Sequence, residues 1–384
     1  MRMRKELLIA LLSTMLYFMA VQLIAAVIAR YCRDLGIDIA TTGTLWSLVP
    51  LVSLILRPLG GYIADKLSSF FAMMLGGLFT ILSAVAYLRA RSIDVLVYAR
   101  VLQGVGGAFF ISPSIAAVAT VAGPRMGEAL GLRAVLLSLA GLVAPVVSGF
   151  LVDEYGYHLV FILGLLLALM VTLLNVPVLI VDKRPTDGDS GSWRDAINKF
   201  VLLMMLVAVC GGSIFMTVTG LLQAHYRDLG YEAKQFGYFM MLFGVSGMVS
   251  RYVAGKLCSY REPSKIALVG YLMASASMLI LGRMYEVPSS YIVAVLYGIG
   301  IGLTVPSMQL MVVRAAPPHS RNRAVSVYAM GFDLGGFLAP NIFGYVALVY
   351  GYEFSYMWMA LPPLVASLIL SLVALGKVKR PTFA

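Results

Sequence analysis

One carboxylate stands alone in the middle of an apolar stretch. Asp333, within Met330-Gly331-Phe332-Asp333-Leu334-Gly335-Gly336, is the one acid of 18 placed away from segment ends and loops. A carboxylate withdrawn from water can bind and release a proton as its surroundings change. Proton coupling is the chemistry it offers, and a static ion pair is the alternative. Four bases also lie inside apolar runs: Arg57, Arg100, Arg133 and Arg251. At ~1.5 Å of rise per helical residue, Arg57 and Asp333 fall about 12 and 15 Å from the same membrane face. Arg57 is therefore the expected charge partner and Arg100 its competitor. Arg100 could equally serve a substrate cavity or brace a neighbouring helix. Arg133, a turn from its segment end, is expected to reach back to the surface.

The glutamines extend this polar set. Gln22, Gln103, Gln223 and Gln309 fall in the first, fourth, seventh and tenth apolar segments. Gln22 and Gln103 lie deeper and join Arg100 as substrate-cavity candidates, whereas Gln223 and Gln309 are expected near the membrane–water interface. His158, His225 and His319 sit at separate segment ends without metal-ligand spacing, and are also expected at the interface. Cys32, Cys210 and Cys258 form neither a C-x-x-C pair nor a plausible bridge. No metal site, cofactor or catalytic constellation is expected, so the chain does not read as an enzyme.

The elements that must position these residues are membrane helices. A composition 60% hydrophobic and 12% charged, with mean hydropathy +0.90, excludes a water-soluble globular protein. Twelve apolar stretches, six across about 6–181 and six across about 200–376, are long enough to cross a bilayer. Lipid offers backbone groups no partner, so each should be helical. The basic start, Arg2-Met3-Arg4-Lys5, precedes a run too long for a signal peptide and reads as the start of an uncleaved first helix. A polar stretch, 183–198, divides a half at 1–182 from a half at 199–384. The net charge of +11 could suggest nucleic acid, but the bases gather at segment ends. With a cytoplasmic N-terminus, 18 bases lie inside, 7 outside and 4 within helices. Both termini are therefore expected in the cytoplasm of a cell-membrane protein, with lipid and not nucleic acid as its partner.

The halves are a tandem duplication. An offset of 194 pairs Arg33-Asp34-Leu35-Gly36 with Arg227-Asp228-Leu229-Gly230, Arg57 with Arg251, and Gly104 with Gly298. An offset of 195 pairs Pro145 with Pro340, Gly149 with Gly344, and Gly156-Tyr157 with Gly351-Tyr352. Two parallel six-helix repeats are the arrangement of one transporter architecture, the major facilitator type. The stretch Gly60 to Lys66 resembles that superfamily's loop signature between helices 2 and 3. Arg100 with Gln103-Gly104 is similar to its helix 4 signature. Gly131, Pro145 and Gly149 follow the spacing of its helix 5 signature, associated with antiporters and drug:proton efflux.

The resemblance implies an all-α fold of twelve transmembrane helices, with helices 1, 4, 7 and 10 lining a cavity. It also implies that Gly61, Asp65 and Lys66 form a conformational gate, with Asp65 facing the start of helix 11. The implied function is secondary transport by alternating access: proton-coupled efflux of small organic compounds by a monomer, powered by the proton gradient. An organic-anion porter is the alternative, since four intrahelical arginines face one carboxylate. A non-transporting membrane receptor is the reading from another class.

Overall fold

The computed structural model describes residues 2–122, 126–179, 197–258, 260–316 and 321–378, and every regular element among them is an α-helix. The first half holds α1 (Arg2–Asp34), α2 (Ile39–Lys66), α3 (Ser69–Leu88), α4 (Ile93–Ala122), α5 (Met126–Tyr155) and α6 (Tyr157–Leu179). The second holds α7 (Lys199–Asp228), α8 (Ala233–Leu257), α9 (Pro263–Leu281), α10 (Ser290–Arg314) and α11 (Arg321–Tyr350). The twelfth span is two pieces, α12 (Tyr352–Trp358) and α13 (Leu361–Ala374). It breaks just before Pro362-Pro363, because proline lacks the N–H that would continue the helical ladder, whereas the first turn of a new helix tolerates it.

Among the described residues, eleven spans are long and apolar enough to cross a membrane. The remaining helix, α8, is less apolar, with Arg251, three glycines, two serines and two tyrosines between Phe236 and Val253. Most of the expected linker, 183–196, lies outside the described residues. The chain forms two compact units, each a six-helix half with a short piece exchanged. Unit 1 is Met1–Asp38, Leu45–Thr186 and Gln223–Tyr238; unit 2 is Ile39–Thr44, Asp187–Leu222 and Phe239–Ala384.

The duplicated Arg-Asp-Leu-Gly is a helix stop. Gly36 and Gly230 take positive φ, 77° and 78°, which costs glycine no side-chain clash. The Ile37 amide then reaches back to the Cys32 carbonyl, and the Tyr231 amide to the Tyr226 carbonyl, satisfying carbonyls the ending helix would strand. Both helices thus present an arginine and an aspartate in the last turn.

Glycines set the helix spacing. On α10, Gly298 and Gly302 are one turn apart and meet the α8 backbone at the Phe243 and Gly247 carbonyls, while Gly300 meets Gly270 of α9. This close packing is what small residues permit in membrane helices. A side chain at Gly302 would collide with the α8 backbone and Ser250, whereas one at Gly255 meets open space. Gly302→Leu should therefore lower the unfolding temperature of the purified protein, by the equivalent of at least ~1–3 kcal/mol for overpacking. Gly255→Ala should leave it unchanged or raise it, and equal effects would refute the packing account.

Candidate functional sites

In unit 1 the end of α1 is clasped to the end of α7 by repeat-equivalent residues. Arg33 Nε lies 3.0 Å from both carboxylate oxygens of Asp228, and its Nη2 lies 2.9 Å from Oδ2. Reciprocally, Arg227 Nε meets Asp34 Oδ1 at 2.5 Å, and the Tyr157 hydroxyl donates to the other Asp34 oxygen. These side chains are 20–38% exposed. Arg30 adds a bond to the Tyr231 carbonyl. One turn deeper, the Gln223 amide inserts into the backbone ladder of α1. Its oxygen accepts from the Ala29 and Arg30 amides at 2.6 and 3.1 Å, and its nitrogen donates to the Ala25 carbonyl at 3.1 Å. Ala25 and Ala29 are the two ends of one helical i→i−4 bond.

The start of α8 is held in the same unit. Asp153 of α5 accepts from the Ala233 and Lys234 amides at 2.7 and 2.9 Å. These donors have no partner within α8, and the helix dipole favours an anion there. Gly149 and Pro145 let α5 approach: a Cβ on Gly149 would sit 2.7 Å from the Lys234 Cα, and one on Gly237 would sit 2.8 Å from the Pro145 carbonyl. The surroundings of Gly131 lie outside the described residues.

Arg100 is buried against α2. Its Nε donates to the Leu45 carbonyl at 2.9 Å and Nη2 to the Trp46 carbonyl at 2.8 Å. Nη1 donates to Gln103 Oε1 at 3.0 Å, and that oxygen also accepts from the Tyr87 hydroxyl at 2.9 Å. The guanidinium lies over the Trp46 ring, 4.9 Å from its centroid. Arg100 and Gln103, both cavity candidates, are thus joined in one network inside unit 1, and the bracing role is the one this geometry describes.

Other positions differ from expectation. Gln223, expected at the interface, is buried between helices, as is His225. Arg133, expected to reach for the surface, is buried and donates to Ser114 of α4 at 2.8 Å. Gln22 is half-buried, and its amide nitrogen lies 3.8 Å from where a Cβ on Gly141 of α5 would stand. Arg57 belongs to unit 1 and Asp333 to unit 2. Asp333 is flanked by Gly331 and Gly335, through which α11 presses on the Met205 and Val209 carbonyls of α7. The side chain of Asp65 lies outside the described residues. Gly61 faces open space and Lys66 is exposed, its ammonium 4.9 Å from the Tyr62 ring centroid. Tyr252 and Lys256 repeat that contact at 4.7 Å, four residues apart like Tyr62 and Lys66. This local geometry recurs at an offset of 190, one helical turn short of the wider repeat, and puts Gly255 in the place of Asp65.

Unit 2 contains a cavity of about 130 Å³ among α7 to α11. Phe215, Phe243, Phe332, Tyr271 and Tyr328 supply aromatic wall, with Gly211, Thr304 and Arg251 also lining it. None of its lining residues is acidic. Among the described residues, no group of His, Cys, Asp and Glu could hold a metal ion.

The profile of the Major Facilitator Superfamily matches residues 10–340 and, as a second segment, 263–382. The chain is 24% identical to the multidrug resistance protein MdtG of Escherichia fergusonii, over 91% of this chain and 90% of that one. It is 21% identical to the multi-drug resistance efflux pump PmrA of Streptococcus pneumoniae, over 81% and 80% of the two chains. The solved structure of a bacterial homolog of the human lysosomal transporter Spinster, inward-facing and unoccupied, superposes with a TM-score of 0.80 at 13% identity, over 99% of both chains.

Proposed function

The chain belongs to the major facilitator superfamily and is a multi-pass membrane transporter, and we propose that it exports small organic compounds by proton-coupled alternating access. The observation that carries this reading is the reciprocal clasp of α1 and α7. It joins helix ends through partly exposed ion pairs, each worth only ~0–1 kcal/mol because water can replace it. Such a join holds a closed state yet releases readily. With both termini cytoplasmic, as the distribution of bases favours, the clasp lies on the outer face and gates release. The names of the MdtG and PmrA relatives support efflux, and Asp333 is the carboxylate to which this reading gives proton coupling. The protein works as a monomer without cofactor, and the proton gradient supplies the energy.

Cys32 makes the gate testable, because it is buried beside Arg33. In a background with Cys210 and Cys258 replaced by serine, a membrane-impermeant thiol reagent added outside should label Cys32 slowly. Asp228→Arg removes one pair and opposes like charges, so labelling should quicken about five- to tenfold, corresponding to ~1 kcal/mol. Adding Arg33→Asp restores opposite charges and should slow it again. In proteoliposomes, flux of at least one compound from a panel of neutral, anionic and cationic fluorophores should follow an imposed pH gradient. Labelling indifferent to both substitutions, or flux indifferent to the gradient, would refute the corresponding half of the proposal.

One observation favours a second reading. Arg251 in the wall of the unit 2 cavity suits an organic-anion porter, and saturation of flux by simple organic acids would distinguish it.

A further inference from the structure

The two halves differ at one place in a way that points to a ligand. In the first half, Tyr17 of α1 and Phe110 of α4 stack face to face, with centroids 3.8 Å apart and planes 5° from parallel. Both are buried and fill the middle of their helices' interface. At the offset of 194, their counterparts are Gly211 and Thr304. The structure supports that pairing independently. A Cβ on Gly76 would meet the Gly106 carbonyl and Phe110 Cβ, and one on Gly270 would meet the Gly300 carbonyl and Thr304 Cγ2. Two large rings in one half are thus a hydrogen and a small side chain in the other; the Tyr271 hydroxyl takes the space next to Gly211, and both positions line the 130 Å³ cavity.

We propose that this cavity is a substrate subsite that takes one aromatic ring of an amphipathic compound, with Arg251 meeting an anionic group on the same molecule. A cavity of about 150 Å³ is enough for benzene, whereas whole drug-sized ligands need roughly 300 Å³ or more. The space suits one ring, with the rest of the substrate lying outside it. Phe215, Phe243 and Phe332 offer ring faces and edges against which an inserted ring packs. Thr304 spends its hydroxyl on the Ile301 carbonyl, so it adds little polarity to the wall. The one charged residue in the lining is Arg251, and a guanidinium's planar fork matches a carboxylate or sulfonate. Because none of the lining residues is acidic, the site disfavours cations. The ligand ring takes the place that Phe110 fills in the first half, while the Tyr271 side chain already covers the side next to Gly211.

This inference rests on the transporter reading, but its test is binding without flux. The purified full chain in lipid nanodiscs is titrated calorimetrically with 4-phenylbutyrate, 4-phenylbutyramide and 4-phenylbutylamine, against empty nanodiscs. The carboxylate should bind about tenfold more tightly than the amide, as a charge-assisted hydrogen bond provides, and the amine should bind weakest. Arg251→Gln should bring the carboxylate down to the amide and leave the amide unchanged. Thr304→Phe, which restores the first half's residue, should abolish binding of all three. Thr304→Leu fills less of the space and should weaken all three if the larger change prevents folding. Equal affinity for the three compounds, preference for the amine, or binding untouched by either Thr304 variant would overturn the subsite. Selective binding with no flux would uphold it and refute transport of these compounds. Gradient-driven flux with no such selectivity would do the reverse.

Discussion

Arg100→Ala should be among the most damaging single substitutions in the first half, and Pro50→Ala should partly repair it. The reason lies in α2. Pro50 has no N–H, so the Trp46 carbonyl four residues earlier loses its helical donor, and the ring pushes against that same carbonyl. Arg100 Nη2 supplies the missing donor at 2.8 Å, and its Nε serves the adjacent Leu45 carbonyl. Removing the guanidinium strands buried acceptors at about 1–3 kcal/mol each and takes one donor from Gln103. Arg100→Lys should recover little, because an ammonium on a flexible stem does not reproduce a planar fork spanning three acceptors. The repeat argues for the coupling: the counterpart of Pro50 is Gly244 and that of Arg100 is Ala294, so proline and arginine are absent together. Thermal unfolding in detergent gives the measurement. The Pro50→Ala/Arg100→Ala double variant should be more stable than Arg100→Ala alone, since Trp46 regains a backbone donor. Additive losses in that cycle would show that the two residues act independently.

Spans and duplication are legible because hydropathy and spacing are properties of the chain itself. The glycine stops of α1 and α7 are written in Arg-Asp-Leu-Gly, although the text alone does not say that each arginine reaches the other copy's aspartate. Pro50 announces a carbonyl in need of a donor. Which helix lies alongside to offer one is tertiary information, so Arg100 stayed open between cavity and brace. Gln223 misled for a similar reason: distance along a helix places it near an end, but the α1 backbone beside it buries it. The cavity was the least legible feature. Tyr17 and Phe110 are 93 positions apart in sequence, and only their stacking shows that Gly211 and Thr304 are counterparts of a packed pair rather than two unrelated small residues.

Asp333→Asn should abolish accumulation against a gradient while leaving exchange of substrate across the membrane largely intact. The substitution keeps size and hydrogen-bonding atoms and removes only the capacity to change charge. Asp333 sits midway along α11, 12 residues after Arg321 and 17 before Tyr350, where an ionisable group is costly and defaults to function. Its neighbour Phe332 lines the unit 2 cavity, and Gly331 and Gly335 on either side hold α11 against α7. A proton gained or lost by this carboxylate is therefore felt at a tightly packed seam beside the proposed subsite. The first half lacks the device: its counterpart is Ser138, whose hydroxyl donates to the Ala134 carbonyl at 3.0 Å in its own helix. A coupling group needs to exist only once per transport cycle, and the asymmetry suits that. Asp333→Glu keeps an ionisable carboxyl and should retain gradient-driven uptake into everted vesicles at a reduced rate. Asp333→Asn should show equilibrium exchange of labelled for unlabelled substrate near the native rate, with no net accumulation. A static ion pair predicts otherwise, since removing one partner of a buried pair typically costs ~3–5 kcal/mol. In that case Asp333→Asn would fail to fold or would lose exchange and accumulation together. Accumulation that persists in a folded Asp333→Asn protein would remove this carboxylate from the coupling step altogether.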